Sequence, residues 1–518
     1  MQTSQDDSVE NGTMPKIINS PTRLTARLVL VATILGSSMA FLDGTVVNLA
    51  LPTLQTVFRA DVSKVQWVVE TYALTLASLL LVGGSMGDRY GRRKMYVYGV
   101  AIFAVCSITC GMAPGIGWLI GARALQGAGA ALLIPGSLAL ITATFPESER
   151  GRAIGTWSGF SAITAAIGPV AGGWLIEHFS WRWVFFLNIP FALAVIALCA
   201  KIPEARNEET TGGLDWLGAV LTMIGLGGVT YALIEWPSGS HHVALLAIAF
   251  LGMGAIGTLG FVEEHSHAPM LPFDLFRSRN FTGANLLTFF VYAPLGALLF
   301  FTPLDLIQVQ HYSTTEAGGA FSPFILTMLL LSRWAGRLVE RYGPRLPLTI
   351  GPLITCVGFG LFAFASQTGS YWTSFFPAVL VMSLGMTITV APLTTTVMNA
   401  VPKSNAGIAS GINNAVSRLA SLIAVAAFGA LMVTIFIHSL DRQLASLSLP
   451  AEMVAKIHAN RLQLAAIHVP DDRAMQAIAA SFIHAYRSVL WTATGSLFLG
   501  ACIGWFIVTP TESHTRAE

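Results

Sequence analysis

Long apolar stretches separated by short polar clusters run through almost the whole chain. A helix needs about 20 mostly apolar residues to cross the hydrocarbon of a bilayer, and at that length the pattern predicts about fourteen spans. They fall near 26–51, 67–86, 95–112, 117–144, 152–176 and 183–200, then 216–235 and 243–262, then 281–307, 317–336, 346–366, 371–398, 406–437 and 486–508. The segment between the last two spans is the one sizeable polar connection. Its stretches AEMVAKIHANRLQLAAI and DDRAMQAIAASFI read as short amphipathic helices lying on the membrane surface, serving as a cover or a gate.

The polar clusters repeat. GSMGDRYGRR, Gly84 to Arg93, returns as GRLVERYGPR, Gly336 to Arg345, and Pro146, Gly151 and Gly155 return as Pro402, Gly407 and Gly411 at nearly the same offset. The duplication joins the first six spans to the last six and skips the middle pair. The expected units are a tail at 1–25, a bundle at 26–201, a two-helix insertion at 202–280, a second bundle at 281–508 with an outer loop at 438–485, and a tail at 509–518. Duplicated halves of apolar helices are a common plan for secondary transporters, with the site between the halves.

Composition agrees with a membrane protein. The 518 residues are 54% hydrophobic and 11% charged, against about 25% charged in an ordinary soluble domain. The polar start of the chain has no apolar core before a cleavage site, so a cleaved signal is not expected. Lys and Arg crowd alternate connections, among them Arg89, Arg92, Arg93, Lys94, Arg150, Arg152, Arg277 and Arg279. The positive-inside rule then puts both termini in the cytoplasm and the 438–485 loop outside. The five cysteines, Cys106, Cys110, Cys199, Cys356 and Cys502, all lie in apolar runs, and no histidine lies mid-span, so metal chemistry is not expected. GMGAIG, Gly252 to Gly257, spells a dinucleotide-binding pattern, but lies inside a span with no preceding strand and reads as helix packing.

Ionisable residues inside a membrane need a reason. Asp43 lies about 12 Å and Arg123 about 9 Å from the outer ends of their spans, a depth at which they can pair. Two roles fit such a pair, a proton site or a static structural ion pair. The duplicate half has only apolar residues at the matching places, around Pro294–Gly296 and Phe375–Leu380, which favours a task over scaffolding. Arg418 lies about 18 Å into its span and could anchor an anionic group or bond backbone carbonyls. Glu70, Asp305 and Glu235 fall near outer span ends, where solvation is cheap, and Glu70 is also a candidate member of the Asp43 site.

These residues carry a resemblance. The chain resembles the major facilitator superfamily, specifically its fourteen-helix drug:proton antiporter branch. LDGTVVNLALP, Leu42 to Pro52, is similar to that branch's first-helix signature, whose acid is taken to carry protons; that role falls on Asp43. GSMGDRYGRRK matches the loop in which Gly84, Gly87 and Gly91 allow close turns and Asp88, Arg89 and Arg92 form an inner charge latch between the bundles. LIGARALQGAGAA matches the helix whose arginine works with the proton site, here Arg123 with Gln126 beside it. The antiporter helix is represented by Gly155, Thr164, Gly168, Pro169, Gly172 and Gly173, with Thr164 standing where the pattern has glycine.

The resemblance implies an all-α major facilitator fold of fourteen helices and a proton-coupled exporter of lipophilic small molecules in the cytoplasmic (inner) membrane. It would be driven by the proton-motive force with no cofactor, would act as a monomer, and would not bind nucleic acid. In a cell with two membranes, a periplasmic adaptor and an outer-membrane channel would be partners. Candidate cavity residues are Asn48, Gln126 and Arg418, in a chain whose 30 Phe, 12 Trp and 10 Tyr could line a lipophilic site. The alternative is a dedicated exporter of one metabolite, lipid or siderophore. An embedded enzyme is poorly supported, for want of a nucleophile–base pair, metal cluster or phosphate loop.

Overall fold

The structure is a computed structural model describing residues 23–204, 214–239, 241–265, 273–365, 370–402 and 406–510. The expected tails over 1–22 and 511–518, the connections at 205–213 and 266–272, and Lys403 lie outside the described residues. Within them the chain is helical, with no strand. The first half comprises α1 (Arg23–Phe58), α2 (Val62–Tyr90), α3 (Arg92–Gly111), α4 (Ile116–Thr144), α5 (Glu147–His178), α6 (Trp183–Phe186) and α7 (Asn188–Cys199). An inserted pair follows, α8 (Trp216–Glu235) and α9 (His242–Glu264). The second half comprises α10 (Arg279–Leu304), α11 (Thr314–Gly319), α12 (Ser322–Gly336), α13 (Leu338–Tyr342), α14 (Arg345–Phe364), α15 (Tyr371–Asn399), α16 (Ala406–Ala445), α17 (Ala451–Ala459) and α18 (Asp472–Phe506).

Twelve helices among the described residues are long and apolar enough to cross a membrane, which makes this a multi-pass membrane protein. Two expected spans fall outside that count. The helix α5 is rich in small and polar residues, and the apolar stretch Trp183–Cys199 is short and broken at Leu187.

The helices overrun the expected spans because they project beyond the hydrocarbon. At 1.5 Å per residue, the 35 residues of α18 reach about 50 Å, against about 30 Å of hydrocarbon. DDRAMQAIAASFI is therefore not a separate surface helix. It forms the first turns of α18, capped by the Asp471 side chain. The loop expected at 438–485 shrinks to 446–471, which holds α17 and a 3-10 turn, Arg461–Ala466. Leu464, at φ 54°, bends the chain there and is itself buried.

The two halves repeat their neighbour relations. Helix α1 packs on α5, α4 and α7, as α10 packs on α16, α15 and α18; α3 lies on α4 as α14 lies on α15. Small residues allow the close approach that membrane helices rely on in place of a hydrophobic driving force. A methyl group at Gly129 would stand 2.7 Å from the Phe103 nitrogen, and one at Gly358 would stand 2.5 Å from the Met382 nitrogen. Helices α8 and α9 pack on each other, and α8 also touches α2 and α16 from the side. The outward side chains of α9, such as Val243, Phe250 and Leu251, are apolar and exposed, as a lipid-facing helix requires.

The repeated loops share a device. Gly91 and Gly343 both adopt positive φ, 109° and 72°, a conformation that favours glycine. Each lies against the residues just past the last helix of its own half. A methyl at Gly91 would meet the Glu204 carboxyl, and one at Gly343 the Pro510 carbonyl. In the first half Glu204 also caps α3, accepting from the backbone nitrogens of Arg93 (3.0 Å) and Lys94 (3.1 Å).

At the end carrying 446–471, here termed the loop face, the halves are joined. Gln66 donates to the Val425 carbonyl (3.0 Å), Gln308 donates to Gln55 (2.9 Å), Gln55 donates to the Gln463 carbonyl (2.8 Å), and the Thr315 nitrogen donates to Glu177 (3.1 Å).

Candidate functional site

Asp43 lies in the middle of α1 and Arg123 in the first half of α4; each is 1% exposed. Arg123 Nη1 donates to Asp43 Oδ2 and to Gln126 Oε1 (2.8 Å), and its Nε donates to the Val68 carbonyl (3.0 Å). The guanidinium lies over the Tyr72 ring, 4.3 Å from its centroid, where the ring face stabilises a cation. Gln126, three residues along the same helix face, donates to Asp43 Oδ1 (2.9 Å) and to Ser107 Oγ (2.9 Å). Asn188, the first residue of α7, donates to Asp43 Oδ1 (3.4 Å) and Ser107 Oγ (3.2 Å).

A buried ion pair recovers its desolvation cost only when the remaining lone pairs are also satisfied. Here both carboxylate oxygens have donors, drawn from α4 and α7, while α2 and α3 hold the donors in place. The site is thus built inside one half rather than between halves. Ser107, Tyr72 and Asn188 were not singled out in the sequence. The available signal for Asn188 was a lone amide in the apolar run FFLNIPF, two residues before a proline.

The antiporter-like helix packs on α1 around this site. Methyl groups at Gly168 and Gly172 would run into Thr45 and Val46, and one at Gly173 into the Thr314 backbone of the other half. Thr164 accepts from Ser38 of α1 (2.9 Å), so the departure from glycine supplies an interhelical hydrogen bond. Gly155 has open space beside it.

Other candidates stand elsewhere. Gln126 is not a cavity residue, because the Asp43 network buries it completely. Glu70 and Asp305 are not solvated. Helix α2 starts well before Glu70, which is 1% exposed with its Oε2 unpartnered, and Asp305 is buried in a π-turn where Gln310 donates to it (2.7 Å). Glu235 is half-buried. No hydrogen bond joins Glu70 to Asp43 among the described residues. Arg418 is half-buried on α16 with an unpartnered Nε. Arg92 pairs with Asp88 (2.8 Å) and its Nη1 donates to the Ala139 carbonyl (3.4 Å), so this ion pair ties α2 to α3 and α4 within the first half instead of bridging the bundles. Gly84 and Gly87 lie in the same α2 turns, and Arg89 stacks on Tyr90 at 5.8 Å.

Between the halves is a cavity of about 150 Å³. Thr45, Asn48 and Pro169 line it from the first half, and Pro303, Phe321 and Phe324 from the second. The Asn48 Oδ1 has no hydrogen-bond partner.

The model of the Major Facilitator Superfamily matches residues 33–425. The chain is 32% identical over 514 residues to the multidrug resistance protein Stp of Mycobacterium tuberculosis, covering 95% of this chain and 94% of that one. It is 31% identical to the tetracenomycin C resistance and export protein of Streptomyces glaucescens, over 78% of this chain and 76% of that one. Among solved structures, a bacterial homologue of the human lysosomal transporter Spinster superposes with a TM-score of 0.66 at 19% identity, covering 92% of this chain and 97% of that one. The xylose transporter XylE from E. coli gives 0.57 at 15% identity, over 95% and 98%. Duplicated helical halves with a buried Asp–Arg pair in one of them agree with this match, and the family and its relatives are small-molecule transporters and not enzymes: the chain belongs to the Major Facilitator Superfamily.

Proposed function

We propose that this protein is a proton-coupled antiporter of the fourteen-helix drug:proton branch, exporting lipophilic drugs or toxic small molecules across the cytoplasmic membrane. Counting α5 and the α6–α7 pair as spans gives fourteen. The loop face is then outside, the Gly91 and Gly343 turns are inside, and both termini are cytoplasmic. The observation that carries this reading is the Asp43 carboxylate, buried with Arg123, Gln126 and Asn188 in one half of a duplicated chain. A proton arriving from outside neutralises Asp43 and weakens its hold on Arg123. The freed guanidinium keeps Val68 and Tyr72, so the change is a rearrangement between α1 and α4 that biases the two orientations of the halves. Asp88 and Arg92, paired inside the first half, would keep its α2–α3 turn fixed to α4 as the halves move. Energy comes from the proton-motive force, the unit is a monomer, and an adaptor and outer-membrane channel join it where a second membrane exists.

Relatives named for resistance to several drugs, such as Stp, support a broad substrate range. Relatives named for one antibiotic, such as tetracenomycin C, favour the second reading, a dedicated exporter of one compound. Inverted vesicles with an imposed pH gradient test the coupling. The wild type should accumulate dye only with the gradient, and Asp43→Asn, which keeps the side-chain volume, should remain folded and lose that dependence. Full gradient-driven uptake by Asp43→Asn would refute the proton role.

A further inference from the structure

The two repeated turns differ in how their charges are answered. In the first half Arg92 pairs with Asp88 (2.8 Å) and Arg93 with Glu204 (3.4 Å). At the corresponding places of the second half Glu340 stands for Asp88 and Arg345 for Arg93, but Pro344 replaces Arg92. Glu340 has thus lost its partner from the repeat, and neither it nor Arg333, Arg337, Arg341 or Arg345 makes an ion pair among the described residues. Arg345 lies instead over the Trp505 ring, 4.1 Å from its centroid, with its Nε unpartnered. At the junction of α12 and α13, Arg337 and Arg341 line an open pocket of about 610 Å³ together with Trp334, Leu338, Glu340 and Tyr342. Leu326 and Leu330 precede Trp334 at helical spacing on α12, and all three are exposed. A lipid-facing apolar stripe therefore runs straight into a basic pocket.

We propose that this pocket binds the phosphate of an anionic phospholipid whose acyl chains lie along Leu326 and Leu330. Two guanidinium groups outweigh the one carboxylate of Glu340, so the pocket favours an anion, and the planar fork of arginine matches phosphate oxygens. Trp334 and Tyr342 stand beside the arginines, and amphipathic rings of this kind settle at headgroup level. The apolar stripe selects a lipid over a free anion, because only a lipid has chains to lay on it. A zwitterionic headgroup brings its own ammonium against the arginines and is disfavoured. The bilayer thus supplies to the second turn the negative charge that Asp88 and Glu204 supply to the first. A signal for membrane orientation would need the basic residues alone, and would be indifferent to Glu340 and to the lipid headgroup.

The test titrates the full-length protein in detergent with dioleoyl phosphatidylglycerol or dioleoyl phosphatidylcholine and follows the first bound lipid by native mass spectrometry. The wild type should hold phosphatidylglycerol more tightly. Joint replacement Arg337→Gln and Arg341→Gln should weaken phosphatidylglycerol about 25-fold, about fivefold for each charge at a membrane surface, and leave phosphatidylcholine unchanged. Glu340→Gln should tighten phosphatidylglycerol about fivefold, a gain that no failure to fold can imitate. Lys94→Gln, which removes an exposed cation at the first turn, should stay within about twofold of the wild type. Equal binding of the two lipids, no gain in Glu340→Gln, or a loss in Lys94→Gln as large as in the arginine pair would overturn the site. Displacement of the lipid by inorganic phosphate at constant ionic strength would mean that the pocket reads a free anion, and would overturn the lipid as its occupant.

Discussion

Gln126 grips Asp43 with the nitrogen of its amide at 2.9 Å while the oxygen of the same amide accepts from Arg123 at 2.8 Å. The ion pair is therefore a triangle, in which neither charged group can move without disturbing the glutamine. Its second donor bond, to Ser107 of α3, ties that triangle to the rest of the half.

Replacing Gln126 with Leu should remove the hub while keeping the volume. Asp43 and Ser107 lose a donor and Arg123 an acceptor, which at a buried site costs about 1–3 kcal/mol. The expected outcome is a lower unfolding temperature in detergent and gradient-driven transport reduced about five- to a hundredfold, one factor of ten for each 1.4 kcal/mol. Unchanged transport would mean that Arg123 and Asn188 suffice to orient Asp43.

At the loop face Gln55 accepts from Gln308 of the second half and donates to the Gln463 carbonyl of the 446–471 segment. Gln55→Ala removes both bonds, each contributing about 0.5–1.5 kcal/mol, and should shift the resting population toward a state open at the loop face. The readout is labelling of a cysteine placed at Thr45 by a membrane-impermeant maleimide. It should accelerate several-fold in the Gln55→Ala background, and an unaltered rate would show that the remaining interhalf contacts are sufficient.

The duplicated turns should respond unequally to the same substitution. Alanine at Gly91 meets the flexible side chain of Glu204, whereas alanine at Gly343 meets the backbone carbonyl of Pro510. Both require positive φ, a strain of about 1–3 kcal/mol. Gly343→Ala should thus lower expression and thermal stability more than Gly91→Ala. The reverse order would argue that the Glu204 cap of α3 outweighs the steric clash.

At the start of α18 the backbone N–H groups of Ala474 and then Arg473 hold the Asp471 carboxyl below the usual carboxylate range. A depressed value means that this cap contributes fully above about pH 4, the ordinary aspartate value, and is lost as the pH falls through the folded value. Hydrogen exchange at the Arg473 and Ala474 amides should be faster in Asp471→Ala than in the wild type at neutral pH. The difference should vanish in strong acid; a difference that persists there would rule out the charged cap.

What the chain alone determined follows from local pattern and solvent. Apolar runs of spanning length, basic connections on alternate sides and the returning RYG motif depend only on the cost of polar groups in hydrocarbon, so they gave the helical class, the duplicated halves and Asp43 with Arg123 as the charges needing explanation. Tertiary structure decided the rest. Ser107, Tyr72 and Asn188 join Asp43 because α2, α3 and α7 converge on it, which no spacing along one helix encodes. Gln126 moved from the cavity to the ion pair, and the Asp88–Arg92 pair lies within one half, because the rotation of each helix about its axis is fixed by its neighbours. Glu70 and Asp305 are buried although they lie near expected span ends, since burial there depends on what covers them. The small cavity between the halves exists only where α1 and α5 meet α10 and α12, a contact between segments more than a hundred residues apart that packing alone creates.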